Sequence, residues 1–546
     1  MTRIPFAVLL LVCLGLTRCD SFGVVPESIR KTSSTALKGT SEGQQQQPQD
    51  KANLGCLNVA VVGGGPSGLL LAHRLLMGGA ARVTVLEGRR DDPRSNNDSD
   101  RAYALGVGRR GRTAIRSVDE ELWQAVKARG FESDKFTLFI NNFPIVLRNG
   151  SKKKKQKKKS NGAPLEPSLL MYQSDLCAAM LDELEKRYGS DRFTIRFESK
   201  VESCDLLQKT VSIQGESSKS AGPFDLIVGC DGVNSAVRSS VAETAPESFE
   251  QTKELLPGQY KVVRLAKTPQ KLDPTSVALI LPKAGTVGAF VEPTANGCCI
   301  LFSGRSEQLD SDPIMSPSLS DLGATTEALE TRFPLLEGAD FEDMAQQLAN
   351  QRGGSASSVQ CNAYHYGSSA ALCGDAAHAT GGVSGQGVNS ALMDAKVLVD
   401  CLESMPWTTS INNNNNKEEK EMLLERALLR YSQRQVPEGK ALYDLSFGPK
   451  PKGFWLKVRY LFRSGRDSLF RGRWGIGQKP LQTLLTTTLV PFAEIRRDRN
   501  AFYDEPFPDN ATFERTLAQL YQNNDDDTEQ KQTTITDATR TTVGSS

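Results

Sequence analysis

The sequence contains few of the residues that build metal sites and disulfide frameworks. It has three histidines, His73, His365 and His378, and its 11 cysteines form no C-x-x-C pair. These absences argue against a zinc site and against a disulfide framework. We therefore expect no bound metal, and we expect mostly reduced cysteines, several of them buried.

A large excess of charge of either sign is also lacking. The formal net charge is +2 over 546 residues, so the charge balance gives no reason to expect nucleic acid as a partner. Hydrophobic residues make up 38% and charged residues 24%, which is ordinary for a globular protein. The length predicts two or three domains, and no internal repeat is visible.

The N-terminal apolar stretch is too short to span a bilayer as a helix. Residues 1–22 combine Arg3 with the stretch Phe6–Leu16, a layout typical of a secretory signal peptide. Residues 23–52 are rich in Ser, Thr, Gln and Lys and predict a disordered, transit-like leader. The junction before Phe22 resembles the two-part plastid-targeting leaders of diatoms and related algae. We expect a plastid location, with secretion or the endomembrane lumen as the alternative.

Low-complexity segments interrupt the chain. The run Ser151–Ser160 contains seven lysines and lies between two strand-like runs, Thr137–Leu147 and Leu169–Tyr172. A solvated hairpin insertion over 136–172 is the preferred interpretation, and a nuclear address or a patch for an anionic surface, such as a membrane, is the alternative. The tail 523–546 is acidic and then Thr-rich, which predicts disorder.

A strand–helix–strand unit opens the part of the chain that we expect to fold. Leu57–Val62 is a short apolar run, a helical stretch continues to Met77, and a second apolar run occupies Arg82–Leu86. This order predicts a β-α-β unit of a parallel sheet.

The turn between the first strand and the helix carries a dinucleotide-binding pattern. Gly63 permits a tight turn, Gly65 lets phosphates approach the backbone, and Gly68 lets helix and strand pack closely. Glu87 ends the second strand, where a carboxylate can accept hydrogen bonds from ribose hydroxyls. Strand, glycines, helix, second strand and acid together favour a bound dinucleotide over a glycine turn of some other α/β protein.

A second glycine pattern, Gly106–Gly111, is interpreted differently. It also fits G-x-G-x-x-G, but no five-residue apolar strand precedes it and no second strand with a terminal acid follows. We therefore predict a single dinucleotide domain, so that NAD(P)H visits the protein without a dedicated fold.

Two later segments carry an acid where a buried strand ends. Phe224–Arg238 contains Asp231 followed by glycine, and Ala371–His378 contains Asp375 after a glycine. The glycines Gly385 and Gly387 then open a helix whose N-terminus can stabilise negative charge on a reduced flavin.

The remaining segments complete the predicted architecture. The region 245–355 is strand-rich and predicts a mostly antiparallel, substrate-facing sheet, and helices begin with Lys420–Gln435. The predicted divisions are an FAD-binding domain over 53–240, a substrate-binding domain over 241–357, a second part of the FAD-binding domain over 358–405, and a helical region over 418–522.

The glycine loop, the Asp-Gly segment and the Gly-Asp segment resemble, in this order and spacing, the para-hydroxybenzoate hydroxylase-like flavoprotein monooxygenases, and most closely the kynurenine 3-monooxygenases among them. Supporting stretches are Arg101–Arg112, Asp225–Arg238 and Tyr431–Ser446. The resemblance runs from about residue 57 to about residue 500 and is patchy between 245 and 355. It implies a Rossmann-like FAD-binding domain of the GR2 type, interleaved with the substrate sheet and followed by helices.

The resemblance also implies cofactor-binding roles for particular residues. Asp231 has a structural turn role as its alternative, and His378 is expected to be structural and not a base. No catalytic side chain is assigned, because the cofactor carries the difficult chemistry. The implied FAD-binding residues are Gly63, Gly65, Ser67, Gly68, Glu87, Gly88, Arg89, Gly106, Gln173, Val201, Asp231, Asp375, Gly385, Gly387, Val388 and Asn389.

The chain departs from the kynurenine hydroxylases where they hold substrate. Their carboxylate-binding arginine is missing from Lys135–Phe139, Phe447–Lys450 replaces a Tyr and Asn pair, and Gly382–Ser384 replaces Pro-Phe-Phe. Lys135 or Lys450 could substitute, although lysine lacks the bidentate fork of arginine. We therefore expect another substrate.

The expected activity is that of an FAD-dependent monooxygenase. It would use NAD(P)H and O2 to insert one oxygen atom into an aromatic or similarly electron-rich small molecule. A reductase or dehydrogenase on the same fold, or a non-catalytic flavin-binding protein, is the alternative.

Overall fold

The structure is a computed structural model that describes the chain in eight segments. The signal peptide, the leader, the lysine run, Lys450 and the acidic tail lie outside them, so the predictions for those parts stay predictions. The described segments are 54–95, 103–149, 166–215, 220–281, 287–304, 309–407, 417–448 and 481–520.

A six-stranded sheet, which we call the central sheet, takes its strands from residues 58–372. Its order is β19-β20-β12-β1-β2-β8, and every neighbouring pair is parallel except β19 with β20. A strand that is covered on both faces has a continuous apolar sequence, and Val59–Val62, which is fully buried, is an example. The strands are β1 (Asn58–Val62), β2 (Arg82–Leu86), β8 (Phe193–Arg196), β12 (Leu226–Gly229), β19 (His365–Tyr366) and β20 (Ala370–Leu372).

Helix α1 (Pro66–Met77) connects β1 to β2 and completes the predicted β-α-β unit. Its proline lies at the start of the helix, where a missing N–H costs nothing, and the ten residues from Ser67 to Leu76 are all buried. The predicted strand, helix and second strand are therefore confirmed.

Three small sheets flank the central one. Their orders are β3-β7-β4, β11-β10-β9 and β13-β18-β21. Their strands are β3 (Ala104–Val107), β4 (Phe131–Ser133), β7 (Ser168–Tyr172), β9 (Val201–Asp205), β10 (Thr210–Ile213), β11 (Ser220–Ala221), β13 (Gln251–Leu255), β18 (Ser357–Cys361) and β21 (Ala379–Thr380).

A second six-stranded sheet, which we call the substrate sheet, has the order β14-β17-β16-β15-β5-β6. It is antiparallel except for the pair β15 and β5, so the mostly antiparallel character is confirmed. One face packs on α6 (Gly323–Arg332) and α7 (Phe341–Ala349) through an apolar core. The strands are β5 (Lys135–Ile140), β6 (Phe143–Asn149), β14 (Gln259–Leu265), β15 (Ser276–Ile280), β16 (Gly288–Thr294) and β17 (Gly297–Gly304).

The interpretation of 136–172 as one hairpin around the lysine run is wrong for the strands on either side of it. β6 pairs with β5 in the substrate sheet, whereas β7 pairs with β3 and β4. The chain turns earlier, at Asn141 and Asn142, whose φ angles are 48° and 68°. Asparagine tolerates this left-handed conformation, which a two-residue hairpin turn requires.

The C-terminal region is helical, as predicted, and it shares one apolar core with the central sheet. Helix α9, of 31 residues, places Tyr431 in that core, and later helices add Phe492 and Leu517. No helix within the described segments is long and apolar enough to cross a bilayer. The remaining helices are α2 (Arg109–Arg116), α3 (Glu120–Ala128), α4 (Gln173–Arg187), α5 (Ala236–Thr244), α8 (Gly387–Glu403), α9 (Lys417–Phe447), α10 (Leu481–Thr487), α11 (Phe492–Arg497) and a helix over 510–520.

The cysteines agree with the expectation of reduced thiols. All nine cysteines of the described segments are free, and eight of them are buried. Burial raises the pKa of several of these thiols, Cys177 and Cys361 among them, to about 12, which keeps them protonated and unreactive.

Candidate cofactor and substrate site

Gly63, Gly65 and Gly68 of the first loop are glycines for different structural reasons. Gly63 has a φ of 104°, and a Cβ there would lie 2.4 Å from the carbonyl oxygen of Cys230. A Cβ on Gly68 would lie 2.0 Å from the carbonyl oxygen of Gly63. A Cβ on Gly65 would meet no protein atom within 4 Å, and the φ of Gly65 is an ordinary −78°. Neither backbone nor packing requires glycine at Gly65, so the space beside it suits a ligand.

Glu87 lies beside this loop, at the end of β2. Its carboxylate accepts hydrogen bonds from the backbone N–H of Gly64 at 2.7 Å and of Arg89 at 2.8 Å, and from Nε of Arg89 at 3.0 Å. Burial opposes the charge, but these bonds outweigh it and lower the pKa of Glu87. The side chain is therefore an ionised acceptor at neutral pH.

Asp231 acts as a turn residue, as the structural alternative predicted. Its Oδ2 accepts a hydrogen bond from the backbone N–H of Ala236 at 2.7 Å, at the start of α5. Burial raises the pKa of this carboxyl group. Arg238, on the same helix, donates to the carbonyl oxygen of Ala376 at 2.9 Å and so connects this segment to the Gly-Asp segment. A role of Asp231 in binding FAD stays a prediction.

The Gly-Asp segment meets both helix N-termini. Gly374 has a φ of 61°, and a Cβ there would lie 2.8 Å from Cβ of Ala391 on α8 and 3.5 Å from Oγ of Ser67 on α1. Asp375 is the one exposed residue between Ser369 and Thr380. The geometry therefore presents an acid from a buried turn to the space between the two helices.

A buried ion pair fixes this turn. Nε2 of His378 lies 2.7 Å from Oδ2 of Asp394, which also accepts a hydrogen bond from the N–H of Gly374 at 2.9 Å. Burial alone would lower the pKa of His378, but Asp394 reverses this and raises it. The ring also stacks on Tyr364 at 5.4 Å. His378 is thus held in a structural position, as expected.

The second glycine pair opens α8. Gly385 has a φ of 64°, which favours glycine, and a Cβ on it would meet no protein atom within 4 Å. A Cβ on Gly387 would likewise meet nothing, and Val388 beside it is half-buried. No side chain caps this helix N-terminus, nor that of α1. Two free N-termini with room in front of them fit an anionic, flat cofactor.

The side chain of Asn389, one of the implied FAD-binding residues, contacts the second glycine pattern of the protein itself. Its side chain is buried and accepts hydrogen bonds from the N–H of Gly108 at 2.7 Å and of Gly111 at 3.3 Å, and it donates to the carbonyl oxygen of Gly106 at 3.0 Å. The second glycine pattern is therefore a packing contact with α8. β3 is antiparallel to β7, so no parallel β-α-β unit forms there.

The other predicted residues lie around this centre. Gln173 is half-buried at the start of α4, and its N–H donates to the carbonyl oxygen of Tyr103 at 3.4 Å. A Cβ on Gly88 would touch Lys200, which precedes the buried Val201. The side chain of Arg89 is 57% exposed and reaches Glu87. These positions are compatible with the adenosine end of a dinucleotide.

The face of the substrate sheet away from α6 and α7, which we call the free face, packs in part on Ala104 and Tyr172 and borders these residues. Tyr260 packs edge-on against Tyr103, with 6.4 Å between the ring centroids. Burial, and to a smaller extent the Asp375 carboxylate, raises the pKa of Tyr103 to about 12. Arg264 lies over the ring of Tyr172 at 4.6 Å. The sheet and the cofactor-side acid therefore border the same space.

Lys135, one of the two lysines offered as a substitute for the missing arginine, already binds other side chains of the protein. Nζ of Lys135 lies 2.8 Å from Asp273 and 2.7 Å from Oγ1 of Thr275. Instead, Arg148 lies directly opposite Phe136 on β6. The sequence interpretation missed Arg148 and Arg264, because only strand register brings them to this face. The Asn-Asn turn was the signal for the first of these.

The comparisons with known proteins agree with this geometry. The chain belongs to the FAD binding domain family, which it matches over residues 57–405. It is an FAD-dependent monooxygenase with NAD(P)H as co-substrate.

Among curated proteins, the chain is similar to kynurenine 3-monooxygenase of Phaeosphaeria nodorum, with 25% identity over 71% of this chain and 76% of that protein. It is also similar to the kynurenine 3-monooxygenase of Salinispora arenicola, with 27% identity over 80% of this chain and 89% of that protein. Among solved structures, the tetrameric form of 2-methyl-3-hydroxypyridine-5-carboxylic acid oxygenase shares the fold, with a TM-score of 0.54, 20% identity and coverage of 78% and 95%.

Proposed function

We propose that the protein hydroxylates an aromatic or similarly electron-rich small molecule, with FAD held in the GR2-type arrangement. The observation that carries this proposal is the pair Gly65 and Gly387. Each glycine precedes or begins an uncapped helix, and each faces open space that protein packing does not use. We place the pyrophosphate at α1 and the flavin ring at α8.

The chain's own residues bind and orient the reactants. Glu87 would accept a hydrogen bond from the ribose, and Asp375 would accept one from a further hydroxyl of FAD. The N–H groups at the start of α8 would stabilise negative charge on the flavin ring. Bound FAD supplies the redox chemistry that activates O2, and the protein supplies the dry, shaped pocket.

The reducing nicotinamide has no domain of its own in the described structure. Gly106–Gly111, the other candidate loop, is occupied by its contacts with Asn389. NAD(P)H must then approach the flavin transiently, which supports a hydroxylase over an enzyme that holds two dinucleotides at once.

We further propose that L-kynurenine is a poor substrate. The segment matching the family's carboxylate clamp has no arginine, and Lys135 is neutralised by Asp273. A carboxylate that is buried without a cation costs several kcal/mol, roughly as much as a lost buried ion-pair partner. If L-kynurenine is converted efficiently, Arg148 is the cation to replace first.

The test is substrate-dependent NAD(P)H oxidation with isotopically labelled O2. We expect one labelled oxygen atom in the product and poor turnover of L-kynurenine. Turnover without oxygen and without label in the product would place the protein among the reductases. Flavin binding with no stimulated oxidation by any aromatic compound would favour a non-catalytic protein.

A further inference from the structure

A single acid is buried in the free face of the substrate sheet. Glu292 lies in β16 and is 9% exposed. None of the described residues donates a hydrogen bond to its carboxyl group or forms an ion pair with it. Burial is the sole cause of its perturbed titration. Buried acids are normally paired, but within the described segments Glu292 has no partner.

The strand register shows what surrounds Glu292. Cys299 lies directly opposite on β17, and Arg264 lies opposite Cys299 on β14. Paired residues of neighbouring strands share a face, so the acid and the arginine are separated by the width of two strand spacings, about 10 Å. Arg264 is stacked on Tyr172 and does not reach the acid.

An apolar wall adjoins the acid. Phe290, two residues before Glu292 on the same strand face, packs edge-on against Phe136 at 6.2 Å, and both rings are half-buried. Tyr172 of β7 packs against the cluster that contains Cys299, the residue opposite Glu292. A partly open aromatic surface with one buried polar group at its end is the usual composition of a small-molecule pocket.

The acid is costly to the folded state. Burial raises the pKa of Glu292 from 4.5 to about 8. The titratable groups that face it, Cys299 and Tyr172, also have raised pKa values and stay neutral. The folded protein therefore holds a proton that the unfolded chain has released, so the free energy of unfolding falls as pH rises from 4.5 to 8. A group with this cost and no internal partner points to function.

We propose that Glu292 is a specificity-determining residue that receives a protonated amine of the substrate, and that the substrate is an aromatic ring bearing an alkylamine. This inference rests on the proposed function. An ammonium group supplies both the charge and the N–H donors that the carboxylate lacks, and Phe136 and Phe290 cover the ring. The positive charge of the ammonium group favours the ionised acid, so Glu292 releases its proton when the amine binds and the ion pair forms. A substrate carboxylate cannot form that pair and would oppose this ionisation.

The test compares three ligands with one ring and different charge: tyramine, para-ethylphenol and para-hydroxyphenylpropionate. Binding is followed on the FAD-containing protein by the ligand-induced rise in Tm, which needs no flavin signal. We expect tyramine to bind roughly tenfold more tightly than para-ethylphenol, and the carboxylate to bind weakest. In Glu292→Gln the preference for tyramine should disappear, while the affinity for para-ethylphenol is kept.

A control variant and a second measurement distinguish recognition of the amine by Glu292 from a purely structural role of that residue. Glu132→Gln makes the same change at an exposed acid paired with Lys127 at 3.3 Å, and it should alter neither preference nor Tm. Glu292→Gln should raise Tm above pH 8, and this gain should shrink toward pH 4.5. An equal loss of affinity for all three ligands, or tightest binding of the carboxylate, would overturn the inference. Absence of FAD binding by the unmodified protein would instead contradict the proposed function.

Discussion

The glycine-rich centre around Gly63, Gly374 and Gly387 and the free face of the substrate sheet differ in what holds them together. In the centre, short sequence motifs meet backbone to backbone, at distances that permit no Cβ at Gly63 or Gly68. On the sheet, Arg264, Cys299 and Glu292 share one face only because three separate strands pair in one register.

The difference shows why cofactor sites are easier to predict than substrate sites. A dinucleotide is bound mainly by backbone N–H groups at helix N-termini, and glycines report such places directly. A substrate is bound by side chains from several strands, whose relative positions no local motif records. The predictions below test this contrast, in order of expected effect.

The largest effects are expected from substitutions at Gly68 and Gly65, which should impair folding and flavin binding respectively. Gly68→Ala places a Cβ 2.0 Å from a backbone carbonyl and should prevent stable folding. Gly65→Asp meets no protein atom but puts a negative charge at the phosphates, so the protein should fold and lose its flavin. Flavin absorbance and the circular dichroism melting curve distinguish the two outcomes. Full FAD occupancy in Gly65→Asp would contradict the assignment.

Breaking the buried pair under Gly374 should have the next largest effect. Asp394→Asn weakens the contact with His378 and should lower the free energy of unfolding by about 3–5 kcal/mol. Since Asp394 raises the pKa of His378 above 6.5, its stabilisation is complete below pH 6.5 and is lost as pH rises through the folded-state pKa. The difference in free energy of unfolding between variant and wild type should therefore narrow at alkaline pH. A gap independent of pH would show that the pair is not ionic.

Removing the hydrogen bonds of Asn389, which connect α8 to the second glycine pattern, should cause a smaller loss of stability. Asn389→Ala leaves the N–H groups of Gly108 and Gly111 without their acceptor and should lower the free energy of unfolding by about 1–3 kcal/mol. Chemical denaturation of the FAD-free protein measures this. Stability unchanged in that state, with flavin affinity lost, would instead support a direct contact of the side chain with the ring.

Removal of the leader should have the smallest effect. A protein that begins at Asn53 should keep its flavin and its Tm, because the described core begins at Leu54 and Leu57. Unfolding or loss of FAD would show that the leader belongs to the fold. In an algal host, a fluorescent fusion of residues 1–50 should reach the plastid, and uniform secretion would favour the alternative.

Prediction from the sequence succeeded where chemistry is local. β2 and the end of α1 lie at the predicted residues, and Asp231 and His378 have the structural contacts that were considered for them. It failed at 136–172, where the Asn-Asn turn sends β5 and β6 into the substrate sheet.

The sequence alone determined the cofactor class and the β-α-β entry to the fold, because φ preference, helix starts and strand length are properties of a few adjacent residues. Only the tertiary structure decided that the side chain of Asn389 accepts a hydrogen bond from Gly108. It also decided that Lys135 pairs with Asp273, and that Glu292 is buried with no partner among the described residues. These outcomes depend on which side chains meet across strands and helices distant in sequence, and that is fixed by packing and register.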